Sequence, residues 1–133
     1  MTIKSIGTFL CDHFLIDSNG KTSLIGIFKR FNVKKLPATI SRFFIVSFAH
    51  ADGINNGNTK IVTVNFKISG PDGKEVNQKL PTLPLRFSSE NKDASIAIEL
   101  NGFNFNKMGI YEFNLFIEDK LIDKTELSIL LKE

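Results

Sequence analysis

Side chains alternate between apolar and polar along most of this chain, and no long stretch repeats apolar positions at helical spacing. The clearest run is Lys60–Ser69. Val62, Val64, Phe66 and Ile68 share one face there, and Thr63, Asn65 and Lys67 share the other. Successive side chains of an extended strand point to opposite faces, so this run predicts a half-buried β-strand. Gly109–Glu118 repeats the pattern with Tyr111, Phe113, Leu115 and Ile117 inward, and Asp123–Leu131 with Thr125, Leu127, Ile129 and Leu131. Asp119-Lys120 between them reads as a hairpin turn.

The earlier runs are less regular. Thr8–Leu15 and Ser23–Val33 flank Asp17-Ser18-Asn19-Gly20, whose Asn-Gly is a strong hairpin signal. Arg42–Ala49 opens with Phe43-Phe44-Ile45, apolar on both faces, which predicts a central strand covered on both sides. Ala94–Phe105 changes phase: Ile96, Ile98 and Leu100 are even, Phe103 and Phe105 odd. Gly102 at the switch predicts a bulge. Asp52-Gly53, Asn56-Gly57 and Pro71-Asp72-Gly73-Lys74 mark further turns, the last read as a hairpin. About eight short strands with frequent turns predict an all-β fold, an antiparallel β-sandwich of immunoglobulin-like or C2-like type. Gly109-Ile110-Tyr111 at the start of a late strand fits the tyrosine corner of such sandwiches.

Composition narrows this picture. The chain has 133 residues, the size of one domain, so residues 1–133 are read as a single sandwich. It has 13 Phe, one Tyr and no Trp, and rings without a polar handle suit a packed core. Net charge is +3, and three of the 17 basic residues are Arg (Arg30, Arg42, Arg86), few for a bidentate phosphate or base reader. The single cysteine, Cys11, excludes an intramolecular disulfide. Met1–Ser5 lacks a signal peptide's apolar segment, and no apolar run is long enough to span a membrane. A cytoplasmic location and no membrane partner are expected.

Candidate chemistry is sparse. Cys11-Asp12-His13 brings triad residue types together, but neighbours on a strand point apart. Cys11 is therefore read as a small core residue and no catalytic residue is assigned. The loop from His50 to Asn58 offers oxygen donors but only one carboxylate, Asp52, and reads as a tight turn. Two histidines and one cysteine give no zinc spacing, so neither metal nor cofactor is expected. Leu80–Leu85, with Pro81 and Pro84, reads as a sheet edge or crossover.

Two blocks carry a resemblance. Phe9-Leu10-Cys11-Asp12, Asn19-Gly20-Lys21 and Leu24–Phe28 form the first; the second runs from Gly70-Pro71-Asp72-Gly73 to Gly109-Ile110-Tyr111-Glu112-Phe113. With them the chain resembles a family of small stand-alone bacterial β-sandwich proteins known only as a domain of unknown function. The resemblance implies a sandwich in a bacterial or phage setting and transfers no activity.

A non-enzymatic interaction module is the leading functional expectation, docking on a protein partner or self-associating. Phe103, Phe105 and Phe116 are the candidate exposed contacts. The alternative is nucleic-acid binding through Lys29, Arg30, Phe31, Lys34 and Lys35, where charge would track a backbone and Phe31 would stack on a base.

Overall fold

The alternating runs become strands. In the structure, a computed structural model that describes residues 1–76 and 78–132, they form β1 (Thr2–Ile16), β2 (Thr22–Ile27), β3 (Arg30–Val33), β4 (Ala38–Asp52), β5 (Thr59–Ser69), β6 (Leu83–Ser88), β7 (Asp93–Phe105), β8 (Gly109–Ile117) and β9 (Lys120–Leu131). One sheet has the order β2-β1-β4-β7, the other β3-β9-β8-β5-β6. Every strand pair is antiparallel except β3 with β9. The fold is an antiparallel β-sandwich, as the alternation predicts.

Three local expectations need correction. Ser23–Val33 is two strands in different sheets, because Phe28 turns inward between them and packs edge-on against Phe43, centroids 5.7 Å apart. The hairpin expected at Asp72-Gly73 stops at one bridge, Ser69 to Glu75, before the chain leaves for β6. The turn between β8 and β9 is Glu118-Asp119, at φ 49° and 63°, one residue earlier than expected. Two central residues with positive φ match the twist of a two-residue hairpin.

The inner faces meet in one apolar core in which Phe43, Phe87, Phe103, Phe105 and Phe113 are fully buried. Phe43 stands edge-on to Phe103 and Phe113 at 6.0 and 6.1 Å, and Phe105 to Tyr111 at 4.8 Å. The Tyr111 hydroxyl donates to the Lys107 carbonyl at 3.0 Å, the predicted tyrosine corner. Phe103 and Phe105 are therefore not surface contacts. The expectation failed because the phase switch was read as moving them to the other face.

The switch is instead shared by all four strands of the β2-β1-β4-β7 sheet. Ile40 and Phe43 both face the core, so β4 changes phase at Ser41-Arg42, opposite Asn101-Gly102 of β7. The β4–β7 register carries through, with Ile40 opposite Phe103 and Arg42 opposite Asn101, so no bulge forms between them. Cys11 and Phe14 both lie on the outer face, so β1 changes phase between them, and β2 does so near Gly26. Gly26 and Gly102 have φ of 70° and 65°, values that side chains disfavour, and a Cβ on Gly26 would strike the Asp12 carboxylate.

A polar clasp joins the two sheets at a second irregularity of β1. β1 bulges at Ile6, which is 63% exposed, and this places Ser5 and Thr8 on one face despite their spacing. Both hydroxyls donate to Asp123 Oδ2 on β9, at 2.6 and 2.8 Å. Thr8 spends its proton there, so Ser47, 2.9 Å away, donates to Thr8. Asp123→Ala strands these hydroxyls between the sheets. It is expected to cost about 2 kcal/mol in urea unfolding, and Asp123→Asn, which still accepts, is expected to cost less.

Candidate functional site

Most antiparallel sandwiches expose a polar outer face on each sheet. The β3-β9-β8-β5-β6 sheet follows this rule, with Lys67, Asn114, Glu112, Lys124 and Glu126 outward. The β2-β1-β4-β7 sheet does not. Cys11, Phe44 and Val46 on its outer face are buried, at 0%, 7% and 1% exposure, beneath the half-buried Phe14, Leu24, Phe48 and Ala97. Phe14 meets Phe44 edge-on at 5.1 Å, and Phe9 meets Phe48 at 6.4 Å. All these residues belong to the four strands of that sheet. The Arg42 guanidinium lies 5.0 Å above the Phe44 ring and pairs with Glu99 at 2.8 Å, closing the patch on the β7 side.

Cys11 belongs to this second apolar layer. Burial pushes its thiol above the ordinary value, and the neighbouring Asp12 carboxylate adds to the effect. Asp12 and His13 are exposed, whereas Cys11 is buried.

A charged row closes the far end of the same sheet. His50 on β4 stands opposite Asp93 of β7 and Lys4 of β1. Its Nδ1 is 2.6 Å from Asp93 and its Nε2 3.0 Å from Asp52. An imidazole that donates from both nitrogens is the cation. The hydrogen bonds to Asp93 and then Asp52 hold it protonated above its ordinary value, while Asp52 is held below its own. The one carboxylate of the His50–Asn58 loop is thus engaged by a cation. Among the described residues, no group of three His, Cys, Asp or Glu could hold a metal ion.

The other candidates separate. Phe116 faces outward on β8, half-buried under the Lys67 ammonium at 5.1 Å. Lys29, Arg30, Lys34 and Lys35 are exposed around β3 at a sheet edge, but Phe31 packs against the core. The basic segment therefore offers charge without the stacking ring, because strand alternation turns Phe31 and Val33 inward together. Sequence reasoning missed Phe9, Phe14 and Phe48. The available signal was Phe43-Phe44-Ile45, which predicted a second covered face.

A family model described as a family of unknown function matches residues 7–130. No curated protein matches the chain. Among solved structures, the chain is similar to the Pseudomonas fluorescens alkylpurine DNA glycosylase AlkC bound to DNA containing an abasic site analog, at TM-score 0.51 and 10% identity. It covers 92% of this chain and 30% of that one. It is also similar to a β-glucosidase from Listeria innocua in complex with isofagomine, at TM-score 0.50 and 8% identity, covering 94% of this chain and 16% of that one. An immunoglobulin-like protein from Pseudomonas aeruginosa matches at TM-score 0.37 and 12% identity over 97% of both chains. The two enzymes share the fold with this chain, which spans under a third of either. No helix among the described residues is long and apolar enough to cross a membrane.

Two outcomes follow from these environments. Since the hydrogen bonds to Asp93 and Asp52 hold His50 above its ordinary value in the folded protein, its contribution is complete below that ordinary value and is lost as pH rises through the raised one. The Asp52 contribution is lost at the acid end, as pH falls through its lowered value. The melting temperature of wild type is expected to fall on the alkaline side, and His50→Gln is expected to lack that limb. Cys11 is expected to resist a small thiol reagent in the folded protein and to react once urea unfolds it.

Proposed function

The chain belongs to DUF6941, the family of unknown function whose model matches residues 7–130, and from that premise we propose a non-enzymatic interaction module that holds a protein partner on the outer face of its four-stranded sheet. One observation carries the reading. The β2-β1-β4-β7 sheet packs one apolar face against the core and presents a second, edged by Phe9, Phe14 and Phe48, to the outside. An apolar layer on a face with no second sheet over it is what a protein interface requires, and aromatic rings contribute most per residue to such interfaces. The buried, proton-retaining thiol of Cys11 argues against its use as a nucleophile. The neighbours' DNA and sugar-analogue ligands belong to proteins of which this chain matches only part.

A photo-crosslinking residue at position 48, in the full chain made in cells, is expected to give one discrete protein adduct. The same residue at position 126, on the polar outer face of the other sheet, is expected to give none. Phe9→Lys should reduce the adduct about tenfold, the effect of roughly 1.4 kcal/mol at an interface. Equal labelling at both positions, or an adduct indifferent to Phe9→Lys, would remove the proposal.

A further inference from the structure

β1 and β4 share a ladder from the pair Thr2 and Asp52 to the pair Cys11 and Phe44, and there it ends. β1 runs on to Ile16 paired only with β2, so residues 12–26 form a hairpin that leaves β4 behind. It does not leave in the plane of the sheet. Ile16 is nine residues from Gly7, the neighbour of Phe48. At about 3.3 Å per residue a flat hairpin would hold its tip roughly 30 Å from Phe48. Instead Gly20 and Thr22 at the tip line one cleft of about 520 Å³ with Ile6, Phe48, Asp93 and Ser95. The hairpin therefore folds back over the outer face of its own sheet. The fold falls at Asp12 and Gly26, where both strands change phase and where Gly26 has a φ of 70°.

Little holds the hairpin down. Among the described residues, its hydrogen bonds are internal, with Asp17 accepting from Asn19, Gly20 and Lys21. No ion pair ties it to the sheet among those residues. The contact is small and apolar: Phe14 and Leu24, both half-buried, rest on Cys11, Phe44 and Val46. Beyond them the tip stands off, with Ile16 60% exposed. Segments with few buried apolar contacts open at a lower cost than the whole fold.

We propose that residues 12–26 are a lid, hinged at Asp12 and Gly26, which opens while the sandwich stays folded and uncovers Cys11, Phe44 and Val46. Closed, it seats its own Phe14 and Leu24 where a partner's apolar side chains would sit. The ladder between β1 and β2 runs through the hinge, from Cys11 opposite Ile27 to His13 opposite Ile25, so the hairpin moves as one body. That the uncovered surface receives a partner rests on the function proposed above; the opening itself does not.

Cys11 reports on the lid, because opening uncovers its thiol. The full chain is treated with iodoacetamide at urea concentrations below the unfolding transition, and alkylation is followed by mass. The slow reaction of the folded protein is expected to show about a third or less of the urea slope of global unfolding, since that slope follows the area exposed. Circular dichroism supplies the global slope. Leu24→Ala removes about half the burial of a leucine and is expected to speed alkylation without urea about five- to tenfold. It is also expected to raise the yield of the adduct at position 48. Ile129→Val weakens the core alone and is expected to leave alkylation without urea unchanged. Alkylation with the full slope of global unfolding overturns the proposal, as does a Leu24→Ala chain alkylated no faster than wild type. Faster alkylation with an unchanged adduct overturns the lid's control of the face. No adduct in either chain, with alkylation as expected, removes the partner and leaves the hinged lid standing.

Discussion

β1 and β4 are each 15 residues long, well beyond an ordinary strand, and strands twist as they lengthen. A sheet built on two such strands must bend to stay over the sheet it covers. The bend is matched within two strand pairs: Asp12-His13 of β1 runs beside Gly26 of β2, and Ser41-Arg42 of β4 beside Asn101-Gly102 of β7. Because paired strands change phase together, the β1–β2 and β4–β7 ladders cross the bend without slipping. Side chains on either side of it can then face the same core. Ile98 and Leu100 precede it, Phe103 and Phe105 follow it, and all four are buried. The aromatic cluster around Phe43 sits where the bend brings β4 and β7 down onto β8.

The regular strands were legible because each has a single buried face. Lys60–Ser69 and Gly109–Glu118 alternate cleanly, and they are β5 and β8, in the sheet whose outer face is polar. The tyrosine corner was legible for a similar reason, since it is a local contact between Tyr111 and Lys107. What could not be read was pairwise. Gly102 looked like a bulge because one strand alone shows only its own phase change; the matching change at Ser41-Arg42 appears only when β4 and β7 are set in register. The split of Ser23–Val33 was hidden likewise, since the parallel partner of β3 is nearly a hundred residues away, with Arg30 opposite Ser128. The Asp123 clasp depends on a bulge at Ile6 and on a contact across sheets, and neither leaves a mark in the alternation.

The candidate surface was half legible. Phe43-Phe44-Ile45 announces a strand with two apolar faces, and β4 is that strand. Phe103 and Phe105 were proposed instead because phase was counted along β7 as though the sheet were flat. With the bend in place those rings go inward, and the outward aromatic positions fall to Phe9, Phe14 and Phe48. Only Phe116 points outward as strand phase predicts, and a lysine covers it.

The row Ile27–Cys11–Phe44–Glu99 crosses the sheet from edge to edge, and its two ends differ. At the β7 end the row stops in an ion pair, with Arg42 bonded to Glu99 and laid over Phe44. Toward β2 it runs from a buried thiol to an isoleucine about half exposed, and no charge intervenes. An apolar layer bounded on one side by charge loses little to water there, while on the other its last side chain stays wet. Within this row the exposed apolar area therefore lies at β2. Sequence alternation builds the sandwich, and the departure from alternation along this row gives the four-stranded sheet a second apolar face, closed by charge at β7 and by none at β2.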